Sequence, residues 1–240
     1  MNRLIISTTW SIIVNAVCWY SWYNLYVYNL LNFKYQAQFF TKWSFVIEHI
    51  FYIAQSIVQI YHLVFKRKEK IKSSSFYCLL YLVGASTTAI ASGIFWGLVL
   101  MEPKLIFSNK VRKQPPMFVH HLFHTATLVY SVVELLIAPR LLWKIPGDLS
   151  MLFSCLFISC SYGVYNRWKH VTTGKAVYPF IDKFSPTLWV IFFVGTGVLG
   201  YIISKFLIVC MRFTKPKEKN EGNEKKDQRM IVNKITKKTN

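Results

Sequence analysis

Residues 4–31 read LIISTTWSIIVNAVCWYSWYNLYVYNLL and contain no Asp, Glu, Lys, Arg or His. About 20 apolar residues of helix are enough to cross the hydrocarbon core of a bilayer, and this run has 28. A secretory signal peptide has a shorter apolar region and a cleavage site of small residues, whereas Trp19, Tyr20 and Trp22 lie in this run. The stretch is therefore predicted to be a retained membrane helix.

Five further apolar stretches follow the first along the chain. They run from about Trp43 to Phe65, Phe76 to Met101, Met117 to Ala138, Leu149 to Asn166 and Thr187 to Met211. We therefore predict an all-α fold, a polytopic membrane bundle of six transmembrane helices, over residues 1–212. Residues 213–240 are polar and rich in Lys, Glu and Asn, so they are predicted to form a disordered, basic, cytosolic tail.

The composition also indicates lipid as the solvent. Hydrophobic residues make up 53% of the 240 residues, against about 45–50% in an average soluble domain. The formal net charge is +19, but Lys and Arg fall in short clusters between the uncharged stretches. No zinc-finger spacing or helix-turn-helix pattern accompanies them, so we expect no nucleic acid among the partners. Such basic clusters are typical of topology signals and of contacts with anionic lipid headgroups.

Counting Lys and Arg on alternate sides of the six spans indicates the orientation. One side carries 18 of the 29 basic residues and the other carries 10, with Lys205 inside the sixth span. The cluster Lys66–Lys72 and the residues after Met211 decide the count, and both termini are therefore predicted to be cytosolic. The ending Lys237-Lys238-Thr239-Asn240 resembles a dilysine signal, which predicts the endoplasmic reticulum or another endomembrane compartment.

Six polar residues interrupt the second and fourth predicted spans. They are Glu48, His49, His120, His121, His124 and Glu134. Counted from the start of each span, Glu48 lies about 7 Å and His124 about 10 Å inside, and both spans enter from the non-cytosolic side. The sequence thus predicts a polar pocket in the outer half of the bundle, or alternatively a set of structural hydrogen bonds between helices.

Three kinds of metal or cofactor centre can be tested against these positions. Membrane di-iron desaturases need more histidines than the six in this chain, and the first, third, fifth and sixth spans lack the histidines of a di-haem protein. His120 and His124 are one helical turn apart, but zinc would need a further ligand from Glu48 or His49. We therefore predict no metal and no cofactor. A metal- or proton-coupled function of Glu48, His49 and His124 stays as one hypothesis.

Four stretches stand in the order and spacing of one known family. They are Thr41-Lys42-Trp43-Ser44-Phe45-Val46-Ile47; Ile94-Phe95-Trp96 with Lys104-Leu105-Ile106-Phe107; His121-Leu122-Phe123-His124-Thr125 with Glu134; and Thr173-Gly174-Lys175-Ala176-Val177-Tyr178-Pro179. The first resembles the "RWKYxT" stretch that opens the second span in the androgen-induced-gene family of integral membrane proteins. Together the stretches cover most of residues 40–185, so the chain resembles this family.

The resemblance implies hydrolysis of fatty acid esters of hydroxy fatty acids by a Thr nucleophile and a His within the membrane. The His is His124, in the same HxxHT context, whereas Ile47 occupies the position of the Thr. Isoleucine has no hydroxyl and cannot form an acyl-enzyme, so the family chemistry cannot run unchanged. Ser44, one turn earlier, is a candidate substitute nucleophile, and Glu48 is a candidate acid or base.

Two further functional hypotheses follow from this departure. The first is a lipid ester hydrolase with an altered nucleophile, and the second is a catalytically silent relative that binds a lipid or a partner protein. Retention of His121, His124 and Glu134 favours the hydrolase, and Ile47 favours the silent relative. In either case the expected partners are membrane lipids, with a lipid ester as substrate if the protein is an enzyme, and the sequence leaves open whether it is one.

Overall fold

A computed structural model describes residues 2–28, 39–65, 74–103, 116–138, 143–174, 177–178 and 180–213. These residues form six helices: α1 (Asn2–Val27), α2 (Phe40–Val64), α3 (Ser75–Met101), α4 (Met117–Ile137), α5 (Asp148–Thr173) and α6 (Pro186–Phe213). In this part of the chain the one extended pairing is an isolated bridge between Ser74 and Trp143. The predicted all-α class is confirmed for the described residues.

The helices coincide with the six predicted stretches except at two ends. The first stretch is helical only to Val27, and residues 29–31 lie outside the described part of the chain. The fifth was predicted to end at Asn166, but α5 continues to Thr173, because long polar side chains on its last turns can reach out of an apolar layer. It ends at Gly174, whose φ of 69° lies in the left-handed region that glycine adopts without strain.

Four of the helices, α1, α3, α5 and α6, are long and apolar enough to cross a membrane. Helices α2 and α4 do not meet that criterion because they carry the polar residues discussed above, although at 25 and 21 residues they are about 37 and 31 Å long. The chain is thus a helical membrane protein in which six crossings remain a prediction. The predicted tail beyond Phe213 lies outside the described residues.

Polar and apolar side chains are distributed in the reverse of a soluble protein. Buried positions of α2 include Glu48, Gln55 and Gln59, whereas the exposed positions of the same helix are mainly isoleucines and other apolar residues. Each of the other five helices also exposes large apolar side chains. A helix surface of this kind is stable against lipid and not against water.

Helix α3 lies at the centre of the bundle and contacts α2, α4, α5 and α6. Its most apolar segment is 72% buried, against 28–33% in the other three apolar helices. Small residues permit these contacts, as the sequence predicts for Gly84 and for Gly197 with Gly200. A Cβ atom built on Gly84 would lie 3.6 Å from Glu48 of α2, and one on Gly197 would lie 3.0 Å from the Leu156 Cα of α5.

Contacts between helix ends show that consecutive helices run in opposite directions. At one end of the bundle, Tyr28 after α1 contacts Phe118 of α4, and Phe39 before α2 contacts Tyr178 after α5. At the other end, Ser74 pairs with Trp143, and Lys205 of α6 forms an ion pair of 2.8 Å with Asp148, the first residue of α5. Below, the first of these is called the Tyr178 end and the second the Asp148 end.

Candidate functional site

His124 lies on α4 and packs against the second half of α3. Its ring stacks on the Phe95 ring with centroids 3.7 Å apart and planes 10° from parallel. The ring also hydrogen-bonds the backbone of Ala91, and the His124 carbonyl accepts a hydrogen bond of 2.5 Å from Ser92 Oγ. His124 Nδ1 has no hydrogen-bond partner among the described residues. The imidazole is therefore held by α3, not by a catalytic hydroxyl.

Lys42 brings a positive charge to the same region. Its ammonium lies 2.7 Å from the centre of the Phe123 ring, in a cation–π contact, and it interacts electrostatically with His120 and His124. Sequence reasoning missed this role because Lys42 was counted only as a loop charge. Lys42 lies at the start of α2, and nothing in the sequence alone indicates that it lies close to His124 of α4.

The two other histidines of α4 have different surroundings. His120 stacks on Phe95 with centroids 5.2 Å apart, on the same side of the helix as His124. His121 is exposed, packs against Trp96 and shares a hydrogen bond of 3.0 Å with Thr125 Oγ1. Among the described residues no group of three or more His, Cys, Asp or Glu is arranged to hold a metal ion.

The sequence considerations above concern a nucleophile at two positions, Ser44 and Ile47. The Ser44 hydroxyl is buried and donates a hydrogen bond of 2.9 Å to the Thr41 carbonyl of its own helix. The Ile47 side chain packs on α3, where its Cγ2 atom lies 3.6 Å from a Cβ built on Gly84. In the described part of the chain, neither residue contacts His124 through a hydrogen bond.

Glu48 and His49 also point away from His124. The Glu48 carboxylate accepts hydrogen bonds from Ser131 of α4 and from Thr88 of α3, the second at 3.3 Å. His49 faces α1, where its Nδ1 accepts a hydrogen bond of 3.4 Å from Trp22 Nε1. Both side chains therefore link helices to one another.

Glu134 lies in a separate group of polar residues. It is ten residues after His124 on α4, which corresponds to about 15 Å along the helix axis. Its Oε1 atom accepts a hydrogen bond of 2.6 Å from Gln55 Nε2, near the Asp148 end. The structure thus brings His120 and His124 together with Lys42 but places Glu134 elsewhere.

A cavity of about 50 Å³ opens at the Tyr178 end between α2, α3, α5, α6 and the segment before α6. Its walls are apolar and largely aromatic, and the residues with hydroxyl groups among its lining present almost no polar surface to it. The lining residues are Phe40, Thr41, Ala91, Ile94, Phe95, Leu98, Ser159, Tyr162, Tyr178, Phe180, Ile181, Phe192, Phe193 and Thr196. None of the residues predicted from sequence as catalytic lines it.

Tyr178 is one of the lining residues, and its hydroxyl group is bonded to its neighbours. Its side chain hydrogen-bonds Tyr162, Thr41 and the backbone of Phe40. Burial raises the pKa of the Tyr178 phenol, so the group stays protonated and can donate a hydrogen bond at neutral pH. The sequence did offer a signal, since Tyr178 and Thr41 both lie in the quoted motifs, but it did not show that they meet.

Phe95 borders both regions. One face of its ring stacks on His124, and the residue also lines the cavity. Ala91, whose backbone bonds the His124 ring, lines the cavity as well. The imidazole and the cavity are therefore neighbours that share Phe95 and Ala91 of α3.

Comparisons with known proteins agree with the motifs. The model of the FAR-17a/AIG1-like protein family matches residues 8–211. The androgen-dependent TFPI-regulating protein of Mus musculus is 25% identical over 165 residues, covering 68% of this chain and 70% of that protein. The androgen-induced gene 1 protein of Homo sapiens is 26% identical over 106 residues, covering 44% of this chain and 43% of that protein. No solved structure matches the chain.

Proposed function

The chain belongs to the FAR-17a/AIG1-like family, and we propose that it binds the acyl chain of a membrane lipid without hydrolysing it by Thr–His chemistry. The observation that carries the proposal is the aromatic-lined cavity at the Tyr178 end. Ligand sites in proteins are mostly apolar, and the wall of this cavity is apolar and largely aromatic.

The chemistry of the walls defines the ligand class. Rings such as Phe40, Phe95 and Phe193 surround a hydrocarbon chain at little cost, because the chain leaves one apolar environment for another. The Tyr178 phenol is bonded to Tyr162, Thr41 and the Phe40 backbone, so the wall offers apolar contact and next to no polar surface. A hydrocarbon chain matches a wall of this kind.

The surroundings of His124 support the non-hydrolytic part of the proposal. A serine- or threonine-type hydrolase needs a nucleophile in hydrogen-bond reach of a base, and the base needs a partner that orients it. In the described residues the His124 ring is bonded by the backbone of Ala91, and Glu48 is occupied by Ser131 and Thr88. Ile47 supplies no hydroxyl.

Ester hydrolysis with another nucleophile is the second candidate function. Thr41 favours it, because this residue lines the cavity and its hydroxyl hydrogen-bonds Tyr178. Phe95 would have to leave the His124 ring for the imidazole to reach this hydroxyl. Labelling by a fluorophosphonate probe that is lost in Thr41→Val and in His124→Ala would favour this candidate over the first.

The topology proposal is six crossings with both termini in the cytosol. The alternating contacts at the two ends of the bundle support it, and so do the apolar outer faces of α2 and α4. Residence in the endoplasmic reticulum stays a prediction. An epitope tag after Asn240 should bind antibody when only the plasma membrane is permeabilised, and protection until the organelle is opened would contradict the orientation.

Lipid binding is tested by photo-crosslinking of the purified protein with a fatty acid that carries a diazirine in its chain. Wild-type protein should be labelled on peptides that contain residues 91–98 and 192–196. Thr196→Trp fills the cavity, so the chain can no longer enter it and labelling of these peptides should fall several-fold.

Val194→Trp is the matched control, since Val194 is on the same helix but does not line the cavity and is 41% exposed. Labelling should be unchanged in that variant. Equal labelling of Thr196→Trp and wild type, with both proteins folded, would contradict acyl-chain binding in this cavity.

A further inference from the structure

Three side chains that can donate hydrogen bonds meet at the Tyr178 end, where α5 ends and α6 begins. They are Arg167 and His170 of α5 and Trp189 of α6. The Arg167 guanidinium carbon lies 5.5 Å from the centre of the Trp189 ring, in a cation–π contact. The His170 ring stacks on the same indole, with centroids 5.8 Å apart and planes 14° from parallel. Both side chains of α5 thus lie against one ring of α6, and the three residues are called the Trp189 group below.

Two nitrogen atoms of the Trp189 group are buried without a hydrogen-bond partner. Trp189 is 3% exposed, and its Nε1 atom has no acceptor among the described residues. His170 Nδ1 likewise has no partner in that part of the chain. An indole N–H can only donate, and buried donors are normally satisfied. The group is therefore suited to an acceptor that the described residues do not supply.

The positive charge of Arg167 is not balanced by a neighbouring carboxylate. A guanidinium is charged at any physiological pH, and no ion pair between described residues involves Arg167. The nearby carboxylate of Asp182 is paired with His170, with Oδ1 and Nε2 3.8 Å apart. Residues 164–185 contain four Lys or Arg, whereas Asp182 is their only acidic residue. An anion that pairs with Arg167 is therefore expected to come from outside the chain.

The Trp189 group borders the proposed lipid cavity. The centroids of the Trp189 and Phe193 rings are 5.7 Å apart, and Phe193 lines the cavity. Ile181, next to Asp182 in the sequence, lines it as well. Trp189 is four residues nearer the start of α6 than Phe193, or about 6 Å along the helix axis, and Trp and Arg near helix ends lie at the level of the lipid headgroups. A lipid with its chain in the cavity can therefore place its head group beside Arg167.

The donors of the Trp189 group define the chemistry of that head group. A guanidinium binds a carboxylate or a phosphate through two parallel hydrogen bonds, and the indole N–H and a protonated imidazole each add a donor. A neutral ester or hydroxyl group would leave the charge of Arg167 unbalanced. We propose that Arg167, His170 and Trp189 bind the anionic head group, carboxylate or phosphate, of a lipid whose chain occupies the cavity. This inference rests on the proposed acyl-chain binding and adds to it a selection for anionic over neutral lipids.

The test is competition against the diazirine fatty acid, with the purified full chain in a neutral detergent. The competitors are palmitic acid, its methyl ester, hexadecyl phosphate and inorganic phosphate. The acid and the alkyl phosphate should prevent labelling of residues 91–98 and 192–196 at concentrations at least about tenfold lower than the ester, because the ester lacks the charge that pairs with Arg167. Inorganic phosphate has no chain and should compete weakly. Competition by inorganic phosphate as strong as that by the alkyl phosphate would assign the group to a free anion and overturn the lipid proposal.

Three variants locate the preference for the acid. Arg167→Gln should bring the acid and the ester to similar potency, because both then lack a charged partner. Lys169→Gln is the matched control, since it removes the same charge two residues away on the same helix, and it should keep the preference. Trp189→Phe keeps an aromatic ring without the N–H and should reduce the preference about three- to tenfold, which serves if Arg167→Gln does not fold.

The outcomes separate the head-group site from acyl-chain binding. Equal potency of the acid and the ester in wild type, with labelling present, would overturn the head-group site and leave acyl-chain binding in place. A full preference for the acid in both Arg167→Gln and Trp189→Phe would overturn it as well. If the fatty acid labels neither peptide in wild type, acyl-chain binding fails and this proposal fails with it.

Discussion

The four-helix half α1–α4 and the helix pair α5–α6 are held together in different ways. Within α1–α4, polar side chains bond across helices, as when Asn15 Nδ2 donates to Ser56 Oγ at 2.9 Å or the Tyr81 hydroxyl donates to the Ser131 carbonyl at 2.7 Å. Between α5 and α6, glycines allow close approach, and a Cβ on Gly163 would lie 2.7 Å from the Phe193 ring.

The difference teaches how helices associate when lipid is the solvent. Apolar side chains gain little by leaving lipid for another helix, so the driving force comes from close packing or from hydrogen bonds. The α5–α6 pair relies mainly on the first means, with glycines at its closest contacts. The α1–α4 half uses the second, and for that reason α2 and α4 look too polar to cross a membrane when judged by composition.

The largest expected effect is on the packing of α5 and α6. Gly197→Val places a branched side chain 3.0 Å from the Leu156 Cα and should lower the free energy of unfolding by about 1–3 kcal/mol. Gly195→Val on the same helix, with no atom within 4 Å of its Cβ, should change it by less than about 0.5 kcal/mol. Unfolding in mixed micelles measures the free energy of unfolding of both variants. Equal destabilisation would show that close contacts at glycine do not hold α5 and α6 together.

A somewhat smaller effect is expected in the polar half. Gln55→Leu removes the donor to Glu134 and to Ser7, and leaving a buried charged acceptor without its donor should lower the free energy of unfolding by about 1–2 kcal/mol. Gln59→Leu removes only the bond to Ser7 and should lower it by about 0.6 kcal/mol. The same micelle titration compares the two variants. A larger loss of unfolding free energy for Gln59→Leu would contradict the expectation that the bond to Glu134 contributes most.

A single hydrogen bond in the α5–α6 pair should matter least for stability. Ser159 Oγ donates to the Phe193 carbonyl at 2.6 Å, and Ser159→Ala should lower the free energy of unfolding by about 0.6 kcal/mol, typical of such bonds in membranes. A loss above about 2 kcal/mol would show that α5 and α6 depend on hydrogen bonds as α1–α4 does.

The last prediction concerns activity and expects no change. Ile47→Thr restores a hydroxyl at the family position, but this side chain packs on Gly84 of α3, so the hydroxyl should not reach His124. Hydrolysis of a hydroxy-fatty-acid ester should be the same in wild type, Ile47→Thr and Ile47→Thr with His124→Ala. A gain in the single variant that is lost in the double variant would show that positions 47 and 124 form a pair.

Much of the helix content could be predicted, because uncharged runs and their flanking charges set where each helix begins and ends. Small residues at helical spacing also indicate that Gly84 and Gly197 lie at helix contacts, but they do not indicate which helix each one contacts. Separation of Glu134 from His124 was available in principle, since ten helical residues span about 15 Å.

The candidate site could be predicted only in part, because a sequence does not give the rotation of each helix about its axis. That rotation directs Ile47 towards Gly84 and lets Lys42 lie over Phe123. The cavity depends on Tyr178, which reaches Thr41 from more than 130 positions along the chain. A contact over such a separation leaves no periodic pattern.

The Phe95 ring is shared by the cavity wall and by the His124 imidazole, whose ring centroid lies 3.7 Å away. A ligand that displaced this ring would also remove the stacking partner of His124. Coupling of this kind is reciprocal, so a change that freed or fixed the imidazole would then alter ligand affinity by the same factor. The histidine would thus respond to occupancy of the cavity without touching the ligand.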